Sequence, residues 1–374
     1  MIGLITSLDD APVVEAFVEE CGSQLVVLDS LEAGNITELT AVYAATPAMV
    51  ELAETLQHKL GLRASGAGSV QQRTQRFNQQ CALGPVSIPQ ATLIASETGL
   101  AEFVRAQSLP VVVRPVAIGD ADKAVLLRHD SEVGSAYRDL ANISGEVFAA
   151  PWMSGERYSV DLVTFAGRPL VADMRKLRID EIKGQLLLRH RVSVHDGDPI
   201  AESLAAIAFR AVEAIGIVSG AAHVDVVVNA DRIYVEEIVC APRPFHLGVD
   251  AAFTAYSHSF HHLLVEALVR SDDFDRRFVR KPRRNRETLA CAPLRVFSAR
   301  DAVSFAGLRF VRRLPGFHSF VRAQSAGKPL SFGSIVGTVS FVSTDAASIM
   351  NSLTVLHEME ETDVLFDENA EIVG

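Results

Sequence analysis

Lysine is scarce in this chain: six residues (Lys59, Lys123, Lys176, Lys183, Lys281 and Lys328) out of 35 basic ones. Cationic chemistry therefore falls to arginine, whose planar fork can still bind phosphate or carboxylate through paired donors. Cysteine is scarce too. Cys21, Cys81, Cys240 and Cys291 lie far apart, with no C-x-x-C pair, which suggests neither a disulfide framework nor a zinc site. No apolar run is long enough to span a bilayer, so no membrane partner is expected. The opening MIGLITSLDD meets acids at once and lacks a basic leader, so a signal peptide is not expected and a cytoplasmic location is. Excess positive charge is missing as well. The net charge is −11, and the one dense basic tract is SDDFDRRFVRKPRRNRE at 271–287. A solvated linker is the better reading of that tract, and no nucleic-acid partner is expected. The first strand-to-helix turn is TSLDDAP. Without G-x-G-x-x-G the backbone cannot close on a dinucleotide pyrophosphate.

What is present describes a globular protein of several parts. The 374 residues are 48% hydrophobic and 22% charged, and a chain this long exceeds one ordinary core. Residues 1 to about 70 alternate strands (IGLITSL, QLVVLDS, AVYAAT) with helices (PVVEAFVEECG, PAMVELAETLQHKLG), which implies a parallel α/β sheet. The stretch SVQQRTQRFNQQCA at 69–82 is expected to be one polar helix carrying Arg73 and Arg76. Further on, VVVRP is a buried strand ending in Arg114, followed by the loop AIGDAD, Lys123 and the strand AVLLR. A cation beside such a loop suits a lid closing over phosphates. Equally, it is a strand end whose arginine snorkels to water. Residues 171–199 look less regular, and VDAAFTAYSHSFHHLLVEALV reads as a helix. The histidines of that helix, at 258, 261 and 262, lack the H-E-x-x-H pattern, so a structural cluster is expected. From Thr288 on, short alternating strands and glycines suggest a β-rich domain.

The central stretch is GAAHVDVVVNADRIYVEEIVCAPR, residues 220–243. It reads as a hairpin of two β-branched strands turning at Asn229–Asp231. Asp225, Glu236 and Glu237 interrupt segments otherwise fit for burial. Buried carboxylates need partners or a metal, and a hard divalent cation would relieve the repulsion between acids across a hairpin. The alternative is an edge hairpin whose acids face water. Strand alternation places Glu236 on the face opposite Glu237.

The order VVVRPV, loop, AVLL, EVFAAPWMSGERYSVD, EAIGIVSGAAHVDV and YVEEIVCAPR resembles the ATP-grasp superfamily. More narrowly it looks like the carboxylate–amine ligases that include the L-amino-acid ligases, and the similarity spans nearly the whole chain. The fold this implies is mixed α/β (α+β): an N-terminal parallel α/β domain (1–88), a lid subdomain (89–147), a body with the acidic hairpin (148–286) and a C-terminal β-rich domain (287–374). The activity implied is ATP-dependent formation of an amide or peptide bond through an acyl phosphate. ATP and Mg2+ would be the cofactors, and small-molecule carboxylates and amines the substrates. A homodimer is the usual assembly of such enzymes.

By position, Asp225 and Glu237 match the Mg2+ ligands. Arg114 stands where the family has a phosphate-contacting lysine, and Arg73 falls near a second nucleotide lysine. Lys123 follows the phosphate loop. Ala150 and Trp152 lie in the segment that receives adenine, Glu156 lies beside the G-x-E element, and Arg243 lies near the arginine facing the acyl phosphate. His246, Arg178 and the RHR run at 189–191 could line a substrate pocket. The chain departs from the pattern at Arg157, which replaces the G-x-E acid, and at Val239, which replaces an asparagine. The departures keep a second reading open: a degenerate ATP-grasp protein that binds a ligand or partner without catalysis.

Overall fold

The computed structural model describes residues 2–5, 25–28, 39–118, 124–230, 232–242, 249–269, 274, 276, 287–300, 303–323 and 329–366. The strands β1 (Ile2–Ile5), β2 (Leu25–Leu28) and β3 (Ala41–Ala44) form a parallel sheet in the order β2-β1-β3. Helix α1 (Val50–Leu60) sets Val50, Ala53 and Leu56 against Val42 and Ala44 and stops at left-handed Gly61. The strands expected in this unit are present, and the helix expected at 12–22 lies outside the described residues.

The polar stretch at 69–82 is not one helix. A single turn at Gln71–Thr74 and helix α2 (Arg76–Leu83) are separated by Gln75, which is extended at φ −126° and ψ 126°. The break lets the backbone pair elsewhere. Arg76 N donates to Val116 O at 2.9 Å, and Ile118 N donates to Thr74 O at 2.9 Å. The start of α2 is thereby stitched to the chain leaving the next β unit.

That unit contains β4 (Thr92–Ile94), helix α3 (Glu97–Gln107), β5 (Val111–Pro115), β6 (Val125–Leu127), helix α4 (Val133–Ser144) and β7 (Val147–Pro151). Its antiparallel order is β6-β5-β7-β4. Along β5, Val111 and Val113 join Leu100, Val104 and Leu140 of the two helices, whereas Val112 turns to the other face and packs with Phe148, Ala150 and Val227. Alternation therefore sends Arg114 to the Val112 face, toward the body.

The body sheet runs β12-β11-β8-β9-β10, all antiparallel, from β8 (Glu156–Phe165), β9 (Arg168–Ile182), β10 (Gln185–Ser193), β11 (Gly220–Asn229) and β12 (Arg232–Val239). Helix α5 (Ile200–Ala214) covers one face through Leu204, Ile207, Ala208 and Ala211. The expectation that 171–199 is irregular fails, because β9 and β10 are long paired strands whose polar residues belong to a polar sheet face. The 249–269 helix is also two helices, α6 (Val249–Tyr256) and α7 (Phe260–Val269), parted at Ser257 with φ +64°. Helix α7 covers only the far end of the second face, over Val163, Phe165 and Leu170.

Beyond the body, β13 (Thr288–Arg295) pairs with β10 and with β15 (Ile335–Ser343), which pairs with β14 (Phe317–Arg322). Helix α8 (Ala346–Glu361) buries Ile349, Leu353 and Leu356 against this sheet. At the seam, His190 Nδ1 lies 2.9 Å from His357 Nε2, and His357 Nδ1 lies 2.9 Å from Glu360 Oε2. Burial, then the neighbouring His357 and Arg178, pushes the His190 pKa down to about 4. The folded protein thus keeps this imidazole neutral, while the unfolded chain takes up a proton at the ordinary value of 6.5. The penalty on the fold grows as pH falls from 6.5 toward 4 and levels off below, reaching up to about 3 kcal/mol. Thermal melts across this range should show the loss in the native chain, and His190→Gln should flatten it. An unchanged profile in the variant would remove His190 as the cause.

Candidate active site

The second body face carries the polar groups, and the hairpin of β11 and β12 brings the acids to it. Asp225 is the register partner of Glu237, as the sequence suggests, but the next pair is Val226 with Val235. Glu236 is the extra residue of a β-bulge. Val235 and Ile238 are both fully buried against α5, so the two glutamates between them turn together to the opposite face. The expectation that Glu236 points away from Glu237 is therefore wrong. Strict alternation fails because the two flanking apolar residues, three apart, share one core.

Four arginines meet these acids or stand beside them. Arg76, buried to 1% exposure, donates to Glu237 Oε2 from Nε at 3.1 Å and from Nη2 at 3.0 Å. Its Nη1 donates to the main-chain oxygens of Pro115 (2.6 Å) and Ala117. Arg157 donates from Nε to Glu236 Oε2 at 3.1 Å and from Nη2 to Met153 O at 2.9 Å. Its guanidinium carbon sits 3.9 Å above the centre of the Trp152 ring. Arg114 is held more loosely, 3.8 Å from Glu236 Oε1 and 3.7 Å from Glu237 Oε2. The Arg114 Nε is buried with no hydrogen-bond partner among the described residues. Arg191 lines the same cavity.

This cavity, about 110 Å³, lies between the β4–β7 unit and the body. Its charged lining residues are Asp225, Glu236, Glu237, Arg114, Arg157 and Arg191. Apolar side chains of Trp152, Leu177, Ile179, Leu186 and Leu188 share the lining, with Arg157 over the Trp152 ring and opposite Leu177 in the register. The turn from Trp152 into β8 requires glycine. Gly155 has φ +143°, and a Cβ there would come within 2.3 Å of the Val228 carbonyl oxygen.

The other sequence-derived site residues fare unevenly. Trp152 lines the cavity with its ring, but its backbone N–H already donates to Pro110 O at 3.0 Å. Ala150 is a paired residue of β7, opposite Val112. Glu156 is displaced from the site: it pairs with Lys176 and accepts from the Tyr158 hydroxyl at 2.7 Å on the outer side. Arg73 is displaced too. It donates to both carboxylate oxygens of Glu54 (Nε to Oε1 and Nη2 to Oε2, 2.7 Å each) and from Nη1 to Ala67 O and Ile215 O, away from the acids. Arg76, three residues on, takes the place by the acids because the helix breaks at Gln75. Lys123, Arg243 and His246 lie outside the described residues. His258 bonds Ala172 O at 3.1 Å and His262 faces Glu266 at 3.7 Å, contacts of a packing cluster.

Arginines engage Glu236 and one oxygen of Glu237, groups that a Mg2+ site of the kind the resemblance implies would use. Mg2+ demands near-octahedral oxygen ligands at close range. Here one Glu237 oxygen already accepts two bonds from Arg76, and both Glu236 oxygens face Arg157. Among the described residues, no group of three or more His, Cys, Asp or Glu side chains could hold a metal ion. Guanidiniums thus engage Glu237, one of the two acids on which the metal reading rested.

Removing one partner of a buried ion pair strands the other charge, at a cost of about 3–5 kcal/mol, while replacing both by apolar groups is often neutral. Arg76→Met should therefore lower the unfolding free energy in urea by that amount, and Arg76→Met with Glu237→Leu should recover part of it. Equal, additive losses in the two single variants would show that the pair is not coupled.

No protein-family model matches the sequence, and no curated protein sequence matches it. Solved structures do match. An L-amino acid ligase from Bacillus licheniformis superposes with a TM-score of 0.71 at 13% identity over 96% of both chains. An Aspergillus clavatus carboxyaminoimidazole ribonucleotide synthase, solved with ATP, gives 0.74 at 13% identity over 96% of this chain and 98% of that one. The Thermus thermophilus N5-carboxyaminoimidazole ribonucleotide synthetase gives 0.66 at 18% identity over 99% of this chain and 100% of that one. Over nearly its whole length this chain has the fold of the ATP-grasp ligases.

Proposed function

We propose that the cleft between the β4–β7 unit and the body binds ATP and uses it to join a carboxylate to an amine. The observation that carries this reading is one cavity whose lining combines apolar side chains, Trp152 among them, with the arginines Arg114, Arg157 and Arg191. A planar base suits Trp152, Ile179, Leu186 and Leu188; phosphates suit Arg114 and Arg157. Arg114 is the mobile charge of the set, because its contacts to both glutamates exceed hydrogen-bond length and its Nε has a donor to spare.

The chemistry follows from the activity of the fold's solved ligases. A carboxylate oxygen attacks the terminal phosphorus, and the bridging oxygen leaves with the bond pair as ADP. The amine nitrogen then attacks the acyl carbon and loses a proton, and phosphate departs with the C–O pair, leaving an amide. Guanidiniums aimed at the transferring group stabilise its charge without reorganising. No step is assigned to a metal ion, because Glu237, one of the two acids that would hold it, already accepts from Arg76. A second reading keeps the nucleotide but not the turnover. The Arg76 clamp on Glu237 favours it, since it ties down an acid that catalysis would otherwise use.

ADP and ATP should raise the melting temperature, because a ligand of the folded state stabilises it by linkage, about 2.7 kcal/mol at a hundredfold excess over Kd. The shift should persist in EDTA and disappear in Arg114→Met. A shift that needs added Mg2+ would restore the metal to the site, and no shift in either condition would sink the nucleotide reading. Phosphate release screened across acid and amine pairs separates the two readings: release marks the ligase, and binding without release marks the binder.

A further inference from the structure

One nucleobase is told from another by hydrogen bonds to its edge. The cleft's power to choose a base is therefore set by the donors and acceptors left facing it. The main chain that carries Trp152 into the cavity has spent its donors. Ala150 is paired with Val112 in the ladder of β7 and β5. Pro151 has no N–H to give. The Trp152 N–H donates to Pro110 O at 3.0 Å, which continues the same ladder. On the facing wall, Leu177, Ile179, Leu186 and Leu188 occupy paired positions of β9 and β10.

The side chains offer little more. The uncharged residues of the lining are Ala124, Trp152, Leu177, Ile179, Leu186 and Leu188. No Ser, Thr, Asn, Gln, Tyr or His stands among the described residues that line the cavity. Their one polar side-chain atom is the indole nitrogen, which is a donor only. Arg157 spends Nε on Glu236 and Nη2 on Met153 O, and its guanidinium sits over the Trp152 ring. Glu236 in turn faces both Arg157 and Arg114.

We infer that the cleft takes adenine and guanine nucleotides alike, so that GTP serves in place of ATP. The inference rests on the nucleotide reading above and concerns only which nucleotides that reading admits. A ring among Trp152, Ile179, Leu186 and Leu188 is held by burial and stacking, and every base has a π-face to offer. Adenine and guanine present nearly the same face and differ at their edges. A site built to hydrogen-bond its substrate rejects an analogue by about 10⁴-fold or more, whereas an apolar pocket rejects a near-isostere by about a hundredfold at most. Selection falls instead on the phosphates, through Arg114 and its neighbours.

Calorimetric titration of the full chain, in EDTA and again with Mg2+, tests this with ADP, GDP and inorganic pyrophosphate. The Kd values of ADP and GDP should agree within fivefold, and pyrophosphate, which lacks the ring, should bind at least tenfold more weakly. Trp152→Ala should weaken ADP and GDP by the same factor, about tenfold, and Trp152→Phe should restore most of that loss for both. A fivefold or larger preference for either nucleotide overturns the inference and leaves the nucleotide reading standing. So does a loss in Trp152→Ala that falls on one nucleotide alone. Pyrophosphate binding as tightly as ADP overturns it too, because the ring would then lie outside the cleft. Binding of neither nucleotide in either condition removes the nucleotide reading, and the inference with it.

Discussion

The buried pair of Arg76 and Glu237 ties the helix before the β4–β7 unit, the chain leaving β5 and the acidic hairpin to one point. Arg76 bonds Glu237 with two nitrogens and the Pro115 and Ala117 carbonyls with the third. The neighbouring residues of α2 repeat the attachment: Gln79 exchanges bonds with both the N–H and the carbonyl of Ile238, and Gln80 donates to Val235 O and Glu236 O. The bulge is thereby held from its back as well as by its own ladder. A charge pair at 1% and 3% side-chain exposure gains little net stability over an apolar substitute. What it supplies is position, since its bonds tie α2, the chain after β5 and β12 to one another.

Much of this was legible in the residues. The hairpin, the opposition of Asp225 and Glu237 and the cation ending β5 follow from periodicity and turn chemistry, and the order of segments carried the fold. Glu236 was misread, yet the signal was present: Val-Glu-Glu-Ile cannot bury both apolar ends on one face and still alternate. Arg76 was not separable from Arg73 by local pattern. The break at Gln75 exists because residues 74–76 pair with 116–118, a tertiary event invisible in a polar run of good helix formers. Glu156 and Arg157 exchanged expectations for a simpler reason. A one-residue difference in a strand swaps the face, and here it put the arginine in the cleft and the acid outside.

The same parity explains the charge of the cleft. Glu236 and Glu237 face Arg76, Arg114 and Arg157, and Asp225 and Arg191 line the same cavity, so acids and arginines nearly balance. In a partly desolvated cleft a neutral set of fixed charges costs far less than three bare acids. It also changes what the cleft attracts. Bare acids would draw a divalent cation. Acids already answered by arginines leave the loosely bound Arg114 as the group that responds to an incoming ligand, and that response is to anions.

The polar face mixes the two signs. Asp225, Glu236 and Glu237 of β11 and β12 lie to one side and Arg191 and Arg295 of β10 and β13 to the other, with Asp161 of β8 and the Asp173–Arg175 pair of β9 between them. Strand order sets this arrangement, because β8 and β9 separate the acidic hairpin from β10. Arg191 of β10 reaches the cavity from that side. A chain poor in lysine achieves this with guanidiniums, which can hold a carboxylate and a phosphate in the same plane of donors.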